Sequence, residues 1–392
     1  MGWDFLNFRD AIASLRAGHD PYLDALAVQN AYHAQLARHL DVAAPLSYVY
    51  SPATLPLLRA VGKLPLAVSG VLYWILFAAA YVVPMRVGVQ WAEDDERRWV
   101  MCLAPFAVFF PGLLQSDVLF SGNIAILLYG CALSAAWVGW KKDSWVWFYA
   151  TVLVASIFKA PMLSLIAIPV LSSRKQWFPG LMVGTAGVFV FCTQPLLWPS
   201  LFANYMKILD YMFAMARDFS SSPAGVLTDL FYNPSTYQKT LAFFYLAYAV
   251  PVVCVLLYLA PKYFSGQITL KQWAPVMMTG VILLNPRINE YDVAPITLAL
   301  GLILWRALAK SDSAQAALLK MGAMFLAANV LTTVNLATVH LAWRWIECSL
   351  LAGTFMVGAG ALLAEVRVEG YDVGSFVDDV VFEEELTDEL AL

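Results

Sequence analysis

The sequence predicts an all-α, polytopic bundle of membrane-spanning helices, and three observations carry that expectation. Hydrophobic residues make up 61% of the 392 and charged residues only 13%, whereas a soluble domain is nearer half apolar and a quarter charged. Apolar runs suited to a hydrocarbon core of about 30 Å recur along the whole chain, and the mean hydropathy is +0.67. Period-two alternation is absent from these runs, and a bilayer tolerates no open strand edge, so they read as helices.

Residues 1–65 precede the first run. Phe5, Phe8, Ile12 and Leu15 share one stripe of a helix over 4–17, with Gly18 as its stop. Such a helix lies along the interface or against the bundle. Asp4 stands at its head and has two compatible readings. It is an N-cap, or it is a general base, held ionised by the helix dipole and ready to take a proton from a hydroxyl. Asp20-Pro21-Tyr22 reads as a turn. Tyr48-Val49-Tyr50-Ser51-Pro52 reads as an aromatic approach to the first span, although tyrosine faces also suit sugar stacking.

About eleven spans follow, at 66–83, 99–114, 118–138, 145–158, 160–172, 177–196, 240–260, 273–286, 291–308, 315–338 and 341–363. Asp117 and Ser121-Gly122-Asn123 form a polar cluster where the third begins. Lys159, in Phe158-Lys159-Ala160-Pro161, interrupts apolar sequence. An intramembrane ammonium is costly and marks a functional position by default; here it binds a phosphate, or it snorkels to the interface.

Segment 197–239 carries Trp198, Phe202, Tyr205, Met206, Tyr211, Met212, Phe213 and Met215 ahead of Ser220-Ser221-Ser222-Pro223. It predicts an interfacial helix followed by a mobile loop. Asn285 to Asp292 is the densest polar knot between two spans. Arg287 suits forked recognition of phosphate, while Glu290 and Asp292 either bind hydroxyls or neutralise Arg287. His340, Arg344 and Glu347 gather at the outer end of the last hairpin.

Loop charge predicts orientation. Arg86, Arg97 and Arg98, then Lys141 and Lys142, Arg174 and Lys175, Lys262 and Lys271, and Arg306 and Lys310 fall on one side, which is read as cytoplasmic. Residues 1–65, 197–239 and the 285–292 turn then face outward. The acidic tail, 366–392, is cytoplasmic and disordered at its end. An outside amino terminus with neither a leading helix nor a signal peptide predicts a first helix encoded upstream, for about twelve spans in all. The alternative is an N-out protein inserted through its first hairpin.

The five cysteines all fall within apolar runs and read as small buried side chains, not as a disulfide framework or metal site. No carboxylate spacing demands a metal, no cofactor is implied, and nothing is basic enough for nucleic acid.

Taken together, these residues resemble a known family. Asp4-Phe5, Ala17-Gly18-His19-Asp20-Pro21-Tyr22 and Tyr48-Val49-Tyr50-Ser51-Pro52 are similar to the opening of the GT-C-type, polyprenyl-phosphate-sugar-dependent glycosyltransferases, nearest to the alpha-mannosyltransferase-like family 87. That family has a "DF" pair, an "aGxdPY" turn and a "yPP" stretch; Ser51 replaces the first proline. Ser121-Gly122-Asn123 resembles its "GQxN" helix start without the glutamine. Phe158-Lys159-Ala160-Pro161 resembles its "KP" break, and Asn285-Pro286-Arg287 through Asp292 resembles its "PR…YD" outer loop. The similarity runs from Asp4 to about residue 310.

The resemblance implies a GT-C-like glycosyltransferase domain over 1–365, in a bacterial inner membrane with its site on the extracytoplasmic face. It would move a mannose-like hexose or a pentose from a polyprenyl-phosphate donor to a glycan, glycolipid or protein acceptor. Asp4 would be the base of an inverting transfer, and Lys159, Arg287 and Arg344 the cations for the donor phosphate. Asp20, Tyr22, Tyr50, Asp117, Asn123, Glu290, Tyr291, Asp292 and His340 would contact sugar or acceptor. The rival is a lipid-linked-sugar flippase or other multi-pass transporter, which predicts repeats and polar helices meeting at mid-membrane. No repeat is visible, and the ionisable residues gather toward one face. A non-catalytic assembly subunit is a third reading, one that would not need Asp4, Lys159 and Arg287 to converge.

Overall fold

The structure, a computed structural model, describes residues 3–36, 47–99, 121–214, 217, 219–310, 313–333 and 344–366. The 99–114 run beyond Trp99, Asp117, His340 and the tail from residue 367 lie outside these. The chain is all helical, with no strand among the described residues.

The helices are α1 (Trp3–Arg16), α2 (Pro21–Leu36), α3 (Leu55–Val61), α4 (Leu66–Gln90), α5 (Ile124–Lys142) and α6 (Val146–Phe158). A 3₁₀ turn, Ala160–Ile166, leads into α7 (Ala167–Ser172), then come α8 (Trp177–Leu197), α9 (Pro199–Ala214), α10 (Pro223–Leu230), α11 (Tyr237–Phe264) and α12 (Leu270–Leu283). The last are α13 (Glu290–Val293), α14 (Thr297–Ala309), α15 (Ala314–Thr333) and α16 (Arg344–Val366).

Among the described residues six helical stretches are long and apolar enough to cross a membrane: Ala67–Gln90, Ile124–Lys142, Arg174–Leu197, Tyr237–Phe264, Glu290–Ala309 and Arg344–Val366. The runs expected at 145–158 and 273–286 form helices of 13 and 14 residues. At a rise of 1.5 Å per residue these reach only about 20 Å. Of the two, α12 packs inside the bundle and is buried along almost its whole length, while α6 leaves Val146, Trp147 and Val154 exposed.

The amphipathic stripe at the start behaves as its spacing predicts. Phe5 and Phe8 are buried, and Gly18 ends the helix region at φ +79°. Phe5 packs on Tyr73 of α4 with ring centroids 5.1 Å apart, and Phe8 stacks on Tyr50 at 4.9 Å. Asp4 falls within the first turn of α1, one residue inside the helix instead of ahead of it. An acidic residue there still favours the dipole.

α4 and α5 run in the same direction, with Tyr73 donating to the Gly122 carbonyl at one end. They touch most closely where Gly130 faces Ala80: a Cβ on Gly130 would stand 2.6 Å from the Ala80 Cβ. The absence of that side chain lets the two backbones approach, as small residues do between membrane helices.

Charges sort to opposite ends of the bundle. One end is held by Arg306, whose Nε and Nη2 grip the two Glu96 oxygens at 2.8 Å each, while Nη1 and Nη2 donate to the Lys271 and Trp91 carbonyls. Lys271 in turn pairs with Glu93 at 2.8 Å. Burial alone would raise the Glu96 pKa, but hydrogen bonds from Arg306 and the Glu93 amide, with the Arg306 and Lys271 charges, hold it below the usual range.

A carboxyl whose folded pKa is depressed adds stability above its unfolded value, about 4.3, and loses it as pH falls through the folded value. Melting temperature is therefore expected to fall on acidification below about pH 4, with a shallower fall in Glu96→Gln. A variant with the wild-type acid limb would show that the clamp contributes nothing.

Segment 220–223 overturns the expectation of a mobile loop. Ser220, Ser221 and Ser222 are fully buried. Ser222 caps α10, its Oγ accepting from the Gly225 amide at 3.0 Å, with Pro223 in the first helical position. Serine followed by proline is a helix-start signal, and here it outweighs the polar composition.

Candidate functional site

The opposite end carries the polar cluster. Its centre is Asp292, fully buried at the start of the α13–α14 stretch. Lys159 Nζ lies 2.6 and 2.7 Å from its two oxygens. Tyr129 of α5 donates its hydroxyl at 3.0 Å, and the Asn289 amide donates to Oδ2 at 3.0 Å. A buried carboxylate needs such saturation, because an isolated charge in an apolar interior costs many kcal/mol.

Local sequence positions Lys159. Pro161 cannot continue the preceding helix, so α6 stops at Phe158 and Lys159 adopts an extended φ of −141°. The side chain then turns inward, with its ammonium 4.3 Å from the Tyr291 ring centroid.

Segments 220–222 and 286–288 zip together beside this pair. The Ser221 amide donates to the Ile288 carbonyl at 2.8 Å, the Ile288 amide to Ser220 Oγ at 3.2 Å, and Ser222 Oγ to the Pro286 carbonyl at 2.8 Å. Ser220 takes φ +84°, a region L-residues avoid unless surrounding contacts impose it. Gly225 allows the tight approach, since a Cβ there would lie 2.1 Å from the Phe219 carbonyl oxygen.

The zip fixes Arg287, whose guanidinium sits 5.6 Å from the Phe213 ring of α9. Its charge also reaches Tyr205 on the same helix. Burial pushes that phenol up to about 12, with Arg287 pulling the other way.

Buried polar atoms without a close hydrogen bond concentrate here: Ser221 Oγ and both oxygens of Glu347, which interact with one another, and Asn285 Nδ2, whose side chain interacts with Tyr129. Glu347 is fully buried on the first turn of α16, within electrostatic reach of Glu290, Asp292 and Arg344. Arg344 donates to the Arg217 carbonyl at 3.2 Å. Buried polar groups are nearly always satisfied, so a knot of exceptions marks a place where strain is retained for function or a ligand is accommodated.

The structure thus brings together Lys159, Arg287, Glu290, Tyr291, Asp292 and Arg344. Asp20 and Tyr22 direct their polar groups inward, and the Tyr50 side chain is buried. Asp20 accepts from the Tyr22 amide at 2.9 Å and from Asn204 Nδ2 at 2.8 Å, and the Tyr22 hydroxyl donates to the Tyr50 carbonyl at 2.7 Å. That segment still abuts the site, because Ser51 Oγ bonds the Ile157 carbonyl at 2.5 Å, just before Lys159. Asn123 caps α5 through the Ala125 amide at 2.9 Å. The backbone of Asp4 is described, its side chain is not; Asp117 and His340 lie outside the described residues.

Sequence reasoning missed Tyr129, the three serines and the centrality of Glu347. Tyr129 is one hydroxyl within an apolar run, and nothing local marks it. Among the described residues no His, Cys, Asp and Glu group has metal-site geometry.

Beside Lys159 a groove of about 460 Å³ opens on the side of the bundle, lined by Ala160, Pro161, Leu163, Tyr245, Leu284 and Pro286 among others. It lies between the 3₁₀ turn and α11, with Leu284 and Pro286 on its wall. Comparison with known protein families, with characterised proteins and with solved structures found no match.

Proposed function

We propose that the chain is a GT-C-type membrane glycosyltransferase of about eleven or twelve spans, working on the extracytoplasmic face of a bacterial inner membrane. It moves a mannose-like hexose or a pentose from a polyprenyl-phosphate donor to a glycan, glycolipid or protein. One observation supports this reading beyond the motifs: an apolar groove is lined by Ala160 and Pro286, the chain neighbours of Lys159 and Arg287, so it lies next to the segments that carry both cations. An amphiphile with a long hydrocarbon tail and a phosphate-linked polar head matches that arrangement.

In the proposed reaction the acceptor hydroxyl oxygen attacks the anomeric carbon from the face opposite the phosphate. Its proton passes to the Asp4 carboxylate. The bond between the anomeric carbon and the phosphate oxygen breaks, and the electron pair leaves with the lipid phosphate. Arg287, Arg344 and the Asp292-positioned Lys159 stabilise that charge in a site shielded from water, where fixed cations are most effective. Glu290, Tyr291 and Asp292, with Asp20, Tyr22, Tyr50, Asp117, Asn123 and His340 on the same proposed face, are the candidates around sugar and acceptor.

The test is transfer from a panel of polyprenyl-phosphate sugars by membranes containing the protein, read as labelled acceptor and released polyprenyl phosphate. Arg287→Ala is expected to slow transfer by about 10²-fold without lowering the melting temperature. Wild-type transfer in this variant would move the phosphate site elsewhere.

The buried Glu347 carboxylate beside the Lys159–Asp292 pair favours a second reading, a lipid-linked-sugar flippase, since ionisable groups inside transporters relay protons. Movement of labelled lipid-linked sugar across vesicle membranes, with no transfer from any donor, would decide for it.

A further inference from the structure

The other end of the bundle carries a second groove, which the proposed reaction does not use. Past the Gly130–Ala80 contact, α4 and α5 part and leave a space of about 300 Å³ lined by Val83, Arg86, Val87, Gln90, Trp137 and Lys141, with Ser134 at its wall. The lining is two-faced. Val83, Val87 and the Trp137 ring are apolar, while Arg86 and Lys141 bring two positive charges to one rim.

Among the described residues no carboxylate at this end pairs with either of those two cations. Glu96 is taken by Arg306, Glu93 by Lys271, Asp143 by Lys175 and Glu365 by Lys310. Arg86 forms no ion pair among the described residues. Lys141 is held with its ammonium 4.6 Å from the Trp137 ring centroid, which keeps it at the mouth of the groove. Adjoining it, α4 presents Ile75, Leu76 and Val82 exposed to the surroundings, as a lipid-facing helix does.

We infer that this groove binds the headgroup of an anionic glycerophospholipid from the leaflet at the basic end of the bundle. The phosphate lies between Arg86 and Lys141, Gln90 and Ser134 are placed near the glycerol and headgroup hydroxyls, and the acyl chains pass over Val83 and Val87 onto α4. Basic pockets between membrane helices recognise anionic headgroups in this way. A zwitterionic lipid gains less, because its own cation competes for the phosphate.

The test is native mass spectrometry of the delipidated full chain in detergent, titrated with dioleoylphosphatidylglycerol or dioleoylphosphatidylcholine. The first phosphatidylglycerol is expected to bind roughly 30-fold more tightly than phosphatidylcholine, as two surface cations give. Arg86→Ala/Lys141→Ala should bring the two lipids level. Lys175→Ala, which removes a basic residue outside the groove, should leave the preference intact. Both altered side chains of the double variant are exposed, so the fold should survive, and an unchanged melting temperature checks it. Equal binding of both lipids to wild type, or an undiminished preference in the double variant, would overturn the proposal.

Discussion

Replacing Asp292 by alanine is expected to destabilise the protein by about 3–5 kcal/mol, because it strands the Lys159 ammonium in a nearly closed site. The Lys159 side chain is only 14% exposed, so solvent recovers little of the lost interaction. Tyr129 loses its acceptor, and the Asn289 amide loses the oxygen that ties off the turn before α13.

The double variant Lys159→Met/Asp292→Leu separates structure from chemistry. Removing both charges with side chains of similar size should restore most of the stability, yet leave transfer absent, since the phosphate would lack a principal cation. Thermal unfolding in detergent, together with the transfer assay, reads both effects. Recovery of activity along with stability would make the pair a structural bolt and remove Lys159 from the mechanism.

Asp4→Asn is expected to lower transfer by on the order of 10²–10⁴-fold, the range general-base catalysis supplies, while the melting temperature stays near wild type. Asparagine keeps a polar side chain of the same shape in the first turn of α1 and cannot accept the proton. The packing of α1 makes the assignment physically reasonable. Phe5 against Tyr73, and Phe8 against Tyr50, hold the helix on the bundle close to where Tyr73 bonds Gly122. A base on an unanchored segment would not keep catalytic geometry. Undiminished transfer by Asp4→Asn would leave Asp4 with a helix-terminal role alone.

Local features of the chain are legible in the residues themselves. Hydropathy settles that the elements are helices, because neither water nor side chains are at hand in a bilayer to satisfy an open backbone. The Phe5, Phe8, Ile12, Leu15 spacing places α1 and its buried face. Gly18 marks its end, and the Phe158-Lys159-Ala160-Pro161 break marks the end of α6. The polar knot at 285–292 also stands out as a place of interest, since charges so close to two apolar runs must be solvated or paired.

The misread loop at 220–223 shows where local reading stops. Three serines before a proline are polar by composition, yet they are buried because the Ser220 and Ser222 hydroxyls and the Ser221 amide pair with Ile288 and Pro286, more than sixty positions away.

The partners of the site lie beyond sequence for the same reason. Lys159 and Asp292 are 133 positions apart, and Tyr129 and Asp292 are 163 apart. Hydropathy and helical period specify which face of a helix is apolar, but not which helix it will meet. That choice is made by close packing of whole helices, as where Gly130 admits Ala80. Only after it is made do a lysine, a tyrosine and an aspartate from distant segments share one buried space and become a candidate site.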